Sequence, residues 1–294
     1  MQTTNKYMFY KSAIDEKTCK QIISHGLSKM QVDENAGISK LASTFDGKEK
    51  GGVSIKGEKT SSKIMAAGMT KESMKKKGID VSKAYVRDSH ISWLNDKWIY
   101  DLFHPYVHHA NTKSGWKWDW NFSENFQFTV YHGHPKQGQF YGWHADGQSD
   151  WQGAYKPALN VGTREKPDFR KVERDEKGEI KRDGKGKPIP AKDKVPVRPK
   201  NKSLAPGYTE NENMWDKIRK LSMTVNLTDP KNYAGGNLKF DFGHHHHKRF
   251  HVCKEIRPRG SIIIFPSYTY HCVTPVTRGT RYSLVLWSLG KPWK

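Results

Sequence analysis

The chain has 294 residues, enough for one large domain or two small ones whose core needs no disulfide or metal to hold it together. Hydrophobic residues make up only 35%, yet 12 Phe, 10 Trp and 13 Tyr are too many for a disordered chain, so we expect a globular core with polar insertions. No apolar stretch approaches the ~18 residues of a bilayer span, and residues 1–10 lack the pattern of a secretory signal. These features predict a cytoplasmic protein without membrane spans.

The three cysteines, Cys19, Cys253 and Cys272, are an odd number without CxxC or zinc-finger spacing. In a chain of this size that pattern indicates reduced, structural thiols and no disulfide.

The formal net charge is +21, from 51 Lys and Arg against 30 Asp and Glu. Residues 160–203 hold 15 basic against 8 acidic residues, and residues 29–87 hold 13 against 7, so about 13 of the excess charges lie in two polar segments. Two interpretations remain open: a solvated lysine-rich surface, or a dedicated groove for a polyanion.

Two helices are expected before the first strands. Over residues 15–29 the apolar positions follow a helical period, with Asp15 as N-cap and Gly26 near the far end. A second apolar stripe covers residues 94–110, where Pro105 should kink or split the helix.

After Trp116 the pattern changes to period two, which predicts a mainly antiparallel β fold of jelly-roll type with the helices supporting one face. No internal repeat is apparent, so a propeller or solenoid is not expected. Trp116, Trp118 and Trp120 alternate like a strand face and are expected to pack the core, with base stacking as the alternative. The predicted strands are residues 125–131, 140–146, 220–227, 236–242, 259–265, 271–276 and 280–289.

A constellation of candidate metal ligands follows from this pattern. His144 and Asp146 are two residues apart on a predicted strand and therefore project from the same face. His271 follows a second buried-looking strand and supplies a third ligand. Two imidazoles and one carboxylate form the facial triad of non-haem Fe(II) oxygenases, which leaves three octahedral positions open, whereas zinc favours a tetrahedral site. A 2-oxo acid can take two open positions and dioxygen the last.

Arg281 is the candidate partner for the far carboxylate of such an acid, because its planar guanidinium can bind a carboxylate through two hydrogen bonds. If residues 277–279 form a three-residue hairpin loop with Gly279 in the left-handed region, Arg281 points inward with His271, about 13 Å along the strand. The same parity points Ser283, Val285 and Trp287 inward and makes Trp287 a pocket wall. Tyr141 is a second expected wall residue.

These residues resemble the Fe(II)/2-oxoglutarate-dependent oxygenases, specifically the prolyl 4-hydroxylase-like branch with the bacterial PKHD-type hydroxylases. The HxD pair, the distal His followed ten residues later by Arg, and the stretch from Pro258 to Pro266 occur in the family's order. Further similarity lies in residues 86–94, 126–131 and 235–240, and the resemblance covers residues 1–28, 84–147 and 220–290.

The resemblance implies a double-stranded β-helix (α+β, mainly antiparallel β), with Fe(II), 2-oxoglutarate as co-substrate and ascorbate. His144, Asp146 and His271 would ligate the iron, Arg281 would hold 2-oxoglutarate and Tyr131 would hydrogen-bond to it. We therefore expect one oxygenase domain over 1–294: a helical N-terminal support over 1–115 with a polar insertion over 29–83, and a β-helix core over 116–294 with a basic lid or insertion over 148–219.

The expected activity is hydroxylation of a protein or peptide residue, with proline as the candidate that the resemblance suggests. Two alternatives stay open: oxidation or demethylation of a nucleic-acid base, with the basic insertions as the contact surface, and a non-catalytic cupin-like binding module. The run His244 to His247 is interpreted as an exposed loop, with a second metal site as the alternative.

Overall fold

The structure, a computed structural model, describes residues 5–35, 41–45, 48–50, 85–136, 138–147, 153–163, 165–197, 204–205, 207–243 and 250–293. Most of the polar insertion predicted over 29–83 and the histidine run 244–247 therefore lie outside the described residues. In the described ranges no helix has the length and apolar character needed to cross a membrane.

Helix α1 spans Glu16–Asn35 and begins as predicted, because the Asp15 carboxylate accepts a 2.7 Å hydrogen bond from the Thr18 amide. It continues six residues beyond the predicted end at residue 29. Gly26 is therefore an interior residue, where a Cβ would lie 2.4 Å from the ring of Phe128. The glycine allows this helix to approach the sheet closely.

Helix α2 spans Lys97–Lys113 and passes through Pro105 without ending, so of the expected kink or split the split does not occur. A proline inside a helix removes one backbone hydrogen bond. Here the buried apolar face, which includes Ile99, Phe103 and Val107, holds the helix together across that position. The helix starts three residues later than predicted because Leu94 ends a strand.

Most strands join one sheet of 14 strands, whose main path is β1-β17-β13-β19-β6-β4-β7-β18-β15-β16. Strands β9 to β11 form a three-stranded sheet, and β8 pairs with β12. The strands are β1 Met8–Tyr10, β2 Leu41–Phe45, β3 Lys48–Lys50, β4 Tyr85–Leu94, β5 Phe122–Ser123, β6 Phe126–His132, β7 Phe140–His144, β8 Lys156–Pro157, β9 Leu159–Asn160, β10 Phe169–Val172, β11 Pro190–Lys194, β12 Tyr208–Thr209, β13 Ile218–Asn226, β14 Tyr233–Gly235, β15 Leu238–Asp241, β16 His251–Val252, β17 Ile262–Pro266, β18 Tyr270–Val273 and β19 Val276–Gly290.

The large sheet curls back on itself. Six strands separate β17 from β15 along the path, yet the ring centroids of Phe265 on β17 and Phe240 on β15 lie 5.0 Å apart. The interior is filled by buried apolar side chains of these strands, among them Leu238 and Ile263. This curled antiparallel sheet is the predicted double-stranded β-helix.

The predicted hairpin at residues 277–279 is absent, because these residues belong to the unbroken strand β19. Strand β18 pairs with β7 and β15, whereas β19 pairs with β6, so only Thr274 and Pro275 connect two strands in different parts of the curled sheet. Gly279 has the predicted left-handed backbone, with φ of 70°. The glycine allows the backbone at residue 279 to lie close to Asn232, because a Cβ there would be 1.9 Å from the carbonyl oxygen of Asn232.

The chain divides into two compact units. The first comprises residues 1–118, 123–146 and 220–288, and the second comprises residues 119–122, 147–219 and 289–294. The second unit contains all of the predicted insertion 148–219. Its five short strands, β8 to β12, were not predicted, because exposed hairpins rich in lysine carry almost no apolar alternation.

The second unit contains an eight-residue repeat, so the expectation of no internal repeat was wrong at this short period. Residues 174–180 and 182–188 form two similar turns, and the leading Arg donates to the carbonyl four residues ahead at 2.7 and 2.8 Å. Asp175 and Asp183 each accept from the amides two and four residues ahead. The bases of the turns are joined by backbone hydrogen bonds that connect Glu173, Lys181 and Ile189 in a ring.

The tryptophans after α2 do not form the predicted strand face, since residues 116–120 are irregular. Trp116 is buried and stacks on Trp118 with ring centroids 5.5 Å apart, so core packing is correct for Trp116. The backbone turns at Lys117, which has φ of 50°.

All three cysteines are free and buried, as predicted. Burial raises the pKa of the Cys19 thiol to about 11, and of Cys253 and Cys272 to about 12. These thiols are therefore protonated at neutral pH.

Candidate metal centre and ligand pocket

The three predicted metal ligands meet in the first unit. His144, the last residue of β7, lies directly opposite His271 of β18, and Asp146 follows β7 by two residues. One Asp146 oxygen lies 3.6 Å from His144 Nε2 and the other 3.7 Å from His271 Nε2. The candidate ligand atoms all lie within 4.8 Å of one another, and they form the single such group among the described residues.

Both imidazoles present the same nitrogen to this centre. His144 Nδ1 donates to the carbonyl of Gly142 at 2.8 Å, and His271 Nδ1 donates to the carbonyl of Thr269 at 2.9 Å. Each Nε2 therefore keeps a lone pair for a metal ion. Burial, followed by the neighbouring His144, lowers the pKa of His271 to about 4, so this ring is neutral at physiological pH.

This donor set fits Fe(II). Two neutral imidazoles and one buried carboxylate are the facial triad that leaves three octahedral positions open. The absence of a cysteine thiolate or a third imidazole from the group argues against the usual structural zinc sites within the described part of the chain.

The triad lies in a cavity that opens to solvent. Polar side chains are numerous in its lining, but most of the wall surface that faces the cavity is apolar. The residues that line it are Gln127, Tyr131, Tyr141, His144, Asp146, Met223, Thr224, Leu238, Phe265, His271, Val273, Arg281, Ser283, Val285 and Trp287.

Arg281 points into this cavity, as predicted, although the reason differs from the predicted hairpin. It lies opposite Tyr131 in the pairing of β19 with β6, and its guanidinium lies 5.5 Å from the centroid of that ring. Only 2% of Arg281 is exposed, and within the described ranges no acidic side chain forms an ion pair with it. Burial raises the pKa of Tyr131, so its hydroxyl keeps its proton and can donate a hydrogen bond.

The two predicted wall residues also line the cavity. Tyr141 stacks on His144 with ring centroids 3.6 Å apart, and Trp287 packs beside Trp93 at 6.1 Å. These contacts restrict the ring of His144 and enclose one side of the cavity. Ser283 and Val285 line it too, as the strand parity predicted.

Arg87 lies behind the cavity wall and contacts two of its residues, Gln127 and Tyr141, a role that the sequence analysis did not assign. This buried side chain on β4 donates to Ser89 Oγ at 3.0 Å and to Gln127 Oε1, and its guanidinium lies 4.5 Å from the centroid of Tyr141. The local sequence could not reveal this role, because the wall residues that Arg87 contacts, Gln127 and Tyr141, lie 40 or more residues away in the chain.

The site and the fold together are typical of the non-haem Fe(II) oxygenases. Residues 207–289, which include His271 and Arg281, match the 2OG-Fe(II) oxygenase superfamily. This partial match agrees with the resemblance to 2-oxoglutarate-dependent oxygenases that the motifs indicated.

Two groups of known proteins are similar to this chain. It is 42% identical over 69 residues to the PKHD-type hydroxylase YbiX of Escherichia coli, and equally to that of Escherichia fergusonii. This match covers 23% of the chain and 27% of the relative, so the chain spans about a quarter of the length of these curated relatives.

Among solved structures, a Pseudomonas putida prolyl-4-hydroxylase aligns over 98% of this chain and 95% of its own, with 11% identity and a TM-score of 0.47. A viral collagen prolyl hydroxylase from Paramecium Bursaria Chlorella virus-1 aligns over 98% and 97%, with 12% identity and a TM-score of 0.45. Both scores lie below 0.5, so the fold assignment above rests on the strand order of this chain.

Proposed function

We propose that this chain is an Fe(II)- and 2-oxoglutarate-dependent dioxygenase that hydroxylates a protein or peptide residue. The observation that carries the proposal is the presence, in one cavity, of a facial triad and a buried arginine without an acidic partner among the described residues. A metal-binding module would need the triad alone. The buried guanidinium adds a requirement for an anionic ligand.

The protein's own residues would hold the reactants in place. His144, Asp146 and His271 would bind the iron on one side, and Arg281 would bind the far carboxylate of 2-oxoglutarate, assisted by the Tyr131 hydroxyl. Bound iron would supply the oxidative chemistry, in which 2-oxoglutarate, O2 and a substrate C–H bond give succinate, CO2 and a hydroxylated substrate. The apolar wall would keep water away from this chemistry.

The proposal of a protein or peptide substrate, with proline as the first candidate, is supported by the motifs and by the hydroxylase relatives. Base oxidation in nucleic acid is the alternative, and the net charge favours it. Several basic groups of the second unit are, however, paired internally: Arg174 with Asp216, Arg182 with Glu212, and Lys171 with Asp193. Such pairing reduces the charge available to a polyanion.

An anaerobic titration tests the iron and 2-oxoglutarate site. Fe(II) and 2-oxoglutarate together should give a metal-to-ligand charge-transfer band in the wild type, and His271→Ala should abolish it. The matched control is His25→Ala on α1, which does not line the cavity and should retain the band. A wild type without the band would overturn the proposal.

Succinate formation distinguishes the substrates. Peptide libraries that include proline-containing sequences should stimulate turnover in the wild type, whereas single-stranded oligonucleotides should not. Stimulation by oligonucleotides alone would establish the alternative and contradict the protein-hydroxylase proposal.

A further inference from the structure

The carboxylate of Asp146 is bound by a chain of two buried hydroxyl groups. Ser222 Oγ lies 2.7 Å from Asp146 Oδ2, and Ser267 Oγ lies 2.9 Å from Ser222 Oγ. Neither serine is exposed to solvent, and neither lines the cavity. Nothing in the proposed reaction uses them directly.

The direction of these hydrogen bonds follows from the number of protons. A carboxylate can only accept, so the Ser222 hydroxyl proton points to Asp146. Ser222 has no second hydroxyl proton, so Ser267 must donate to Ser222. The chain therefore runs from Ser267 through Ser222 to Asp146, and each hydroxyl strengthens the next as a donor.

Backbone pairing fixes the positions of the two serines relative to each other. Ser222 lies on β13 opposite Phe265 of β17, and Ser267 directly follows β17. The Ser267 amide donates to the carbonyl of Lys220 at 2.9 Å, which extends the ladder between these strands. The two side chains thus have little freedom to follow a carboxylate that rotates.

The consequence concerns the number of positions that Asp146 takes on a metal ion. Ser222 donates to Oδ2, whereas Oδ1 is the oxygen that faces His144 Nε2 at 3.6 Å. A carboxylate that binds through both oxygens would take a fourth octahedral position, leaving two for a bidentate 2-oxo acid and dioxygen together. A single-oxygen ligand leaves the required three.

We propose that Ser222, supported by Ser267, is a positioning residue that makes Asp146 bind iron through Oδ1 alone and so keeps three positions open. This inference rests on the proposed function, since it takes the ion to be iron with 2-oxoglutarate.

The test is a titration of the 294-residue chain with Co(II), whose visible absorption reports affinity and the number of ligands. Ser222→Ala should bind Co(II) roughly 10- to 100-fold more weakly, as is typical when the hydrogen-bond partner of a metal ligand is removed. Its spectrum at saturation should change as the carboxylate becomes bidentate, and Ser222→Thr should restore the wild-type spectrum because it keeps the hydroxyl.

The matched control is Ser288→Ala. Ser288 is equally buried and its hydroxyl bonds another serine, Ser123, at 3.3 Å, but it does not line the cavity. This variant should keep the wild-type affinity and spectrum. A thermal melt of each variant separates loss of the fold from loss of the metal geometry.

Each outcome decides a separate point. If the wild type binds Co(II) and Ser222→Ala has the same affinity and spectrum, the inference is overturned while the proposed function stands. If the wild type binds neither Co(II) nor Fe(II) with 2-oxoglutarate, the proposed function itself fails. Should Ser222→Ala not fold, Ser222→Cys replaces the hydroxyl by a weak thiol donor of similar size, and wild-type behaviour in that variant overturns the inference.

Discussion

Arg281 is a cation buried in the first unit with no ion-pair partner among the described acidic residues. Removing a charge from water is expensive, and an unpaired buried charge costs several kcal/mol by comparison with a paired one. The ligand that binds beside Arg281 would offset that cost. The energetic role of this residue therefore lies in binding, and its effect on folding is unfavourable.

Replacing this guanidinium should weaken 2-oxoglutarate binding and leave the fold intact. Hydrogen bonds to a charged group contribute about 1.5–3 kcal/mol, so Arg281→Gln should raise the dissociation constant roughly 10- to 150-fold. The measurement is the 2-oxoglutarate dependence of the anaerobic charge-transfer band. Arg278→Gln on the same strand is the control, because Arg278 is exposed and should not matter.

The buried neutral His271 should make the metal-free protein less stable in acid. Its pKa is about 4 in the folded state against an ordinary 6.5, so between these values the unfolded chain binds a proton that the folded chain does not. Stability is therefore lost as the pH falls from 6.5 to 4, by up to about 3 kcal/mol from this group.

Chemical denaturation at several pH values measures this effect as the difference between the wild type and His271→Asn. Since carboxylates also titrate in this range, only the difference between the two proteins is informative. Parallel pH profiles for the two proteins would show that the ring of His271 is not held neutral by burial.

At the scale of elements, the site depends on the register of two strand pairs. His144 lies opposite His271 across β7 and β18, and Tyr131 lies opposite Arg281 across β6 and β19. A shift of one residue in either pair would turn a functional side chain to the other face of the sheet. Backbone hydrogen bonds therefore set the geometry of the site as much as side-chain contacts do.

The contact of α1 with the sheet gives a prediction at this scale. Gly26→Ala adds a Cβ that would lie 2.4 Å from the Phe128 ring, and such overpacking typically costs ~1–3 kcal/mol, against about 1 kcal/mol gained in helix propensity. We expect a net loss of stability, visible as a lower melting temperature. Ser28→Ala on the exposed face of α1 should be neutral or slightly stabilising, and a similar result for Gly26→Ala would contradict the close approach.

Local patterns in the sequence predict part of this arrangement. The spacing of His144 and Asp146 brings both to one centre, although Asp146 lies two residues beyond β7, and alternation along β19 turns Ser283 and Trp287 to the same side as Arg281. The hairpin before Arg281 was wrong because period-two alternation does not reveal which strand is the partner. Ser222 was beyond prediction, since a serine within an apolar strand shows its role only when a partner 76 residues away is placed beside it.

At the scale of the whole molecule, the chain combines a curled sheet that contains the site with a second compact unit built from short hairpins. All residues that line the cavity belong to the first unit. The iron and 2-oxoglutarate chemistry that we propose should therefore depend on the first unit alone. We propose that exposed loops contribute to substrate recognition, because binding residues are commonly found on loops.

Removal of the repeat tests that separation. Residues 174–188 can be replaced by Asn-Gly, because the Glu173 amide already bonds the Ile189 carbonyl at 2.9 Å and this dipeptide favours a tight hairpin turn. The exposed pairs that are lost, such as Arg174 with Asp216, contribute about 0–1 kcal/mol each. The charge-transfer band should be retained, and its loss would show that the two units depend on each other.

The shielding of the three thiols has a practical consequence. Since Cys19, Cys253 and Cys272 are buried and protonated at neutral pH, maleimide reagents should leave the native protein unmodified. A cysteine placed at an exposed turn, as in Lys185→Cys, should then react alone. A single fluorophore could thereby be attached to the second unit, and its anisotropy would report the arrival of a macromolecular substrate independently of turnover.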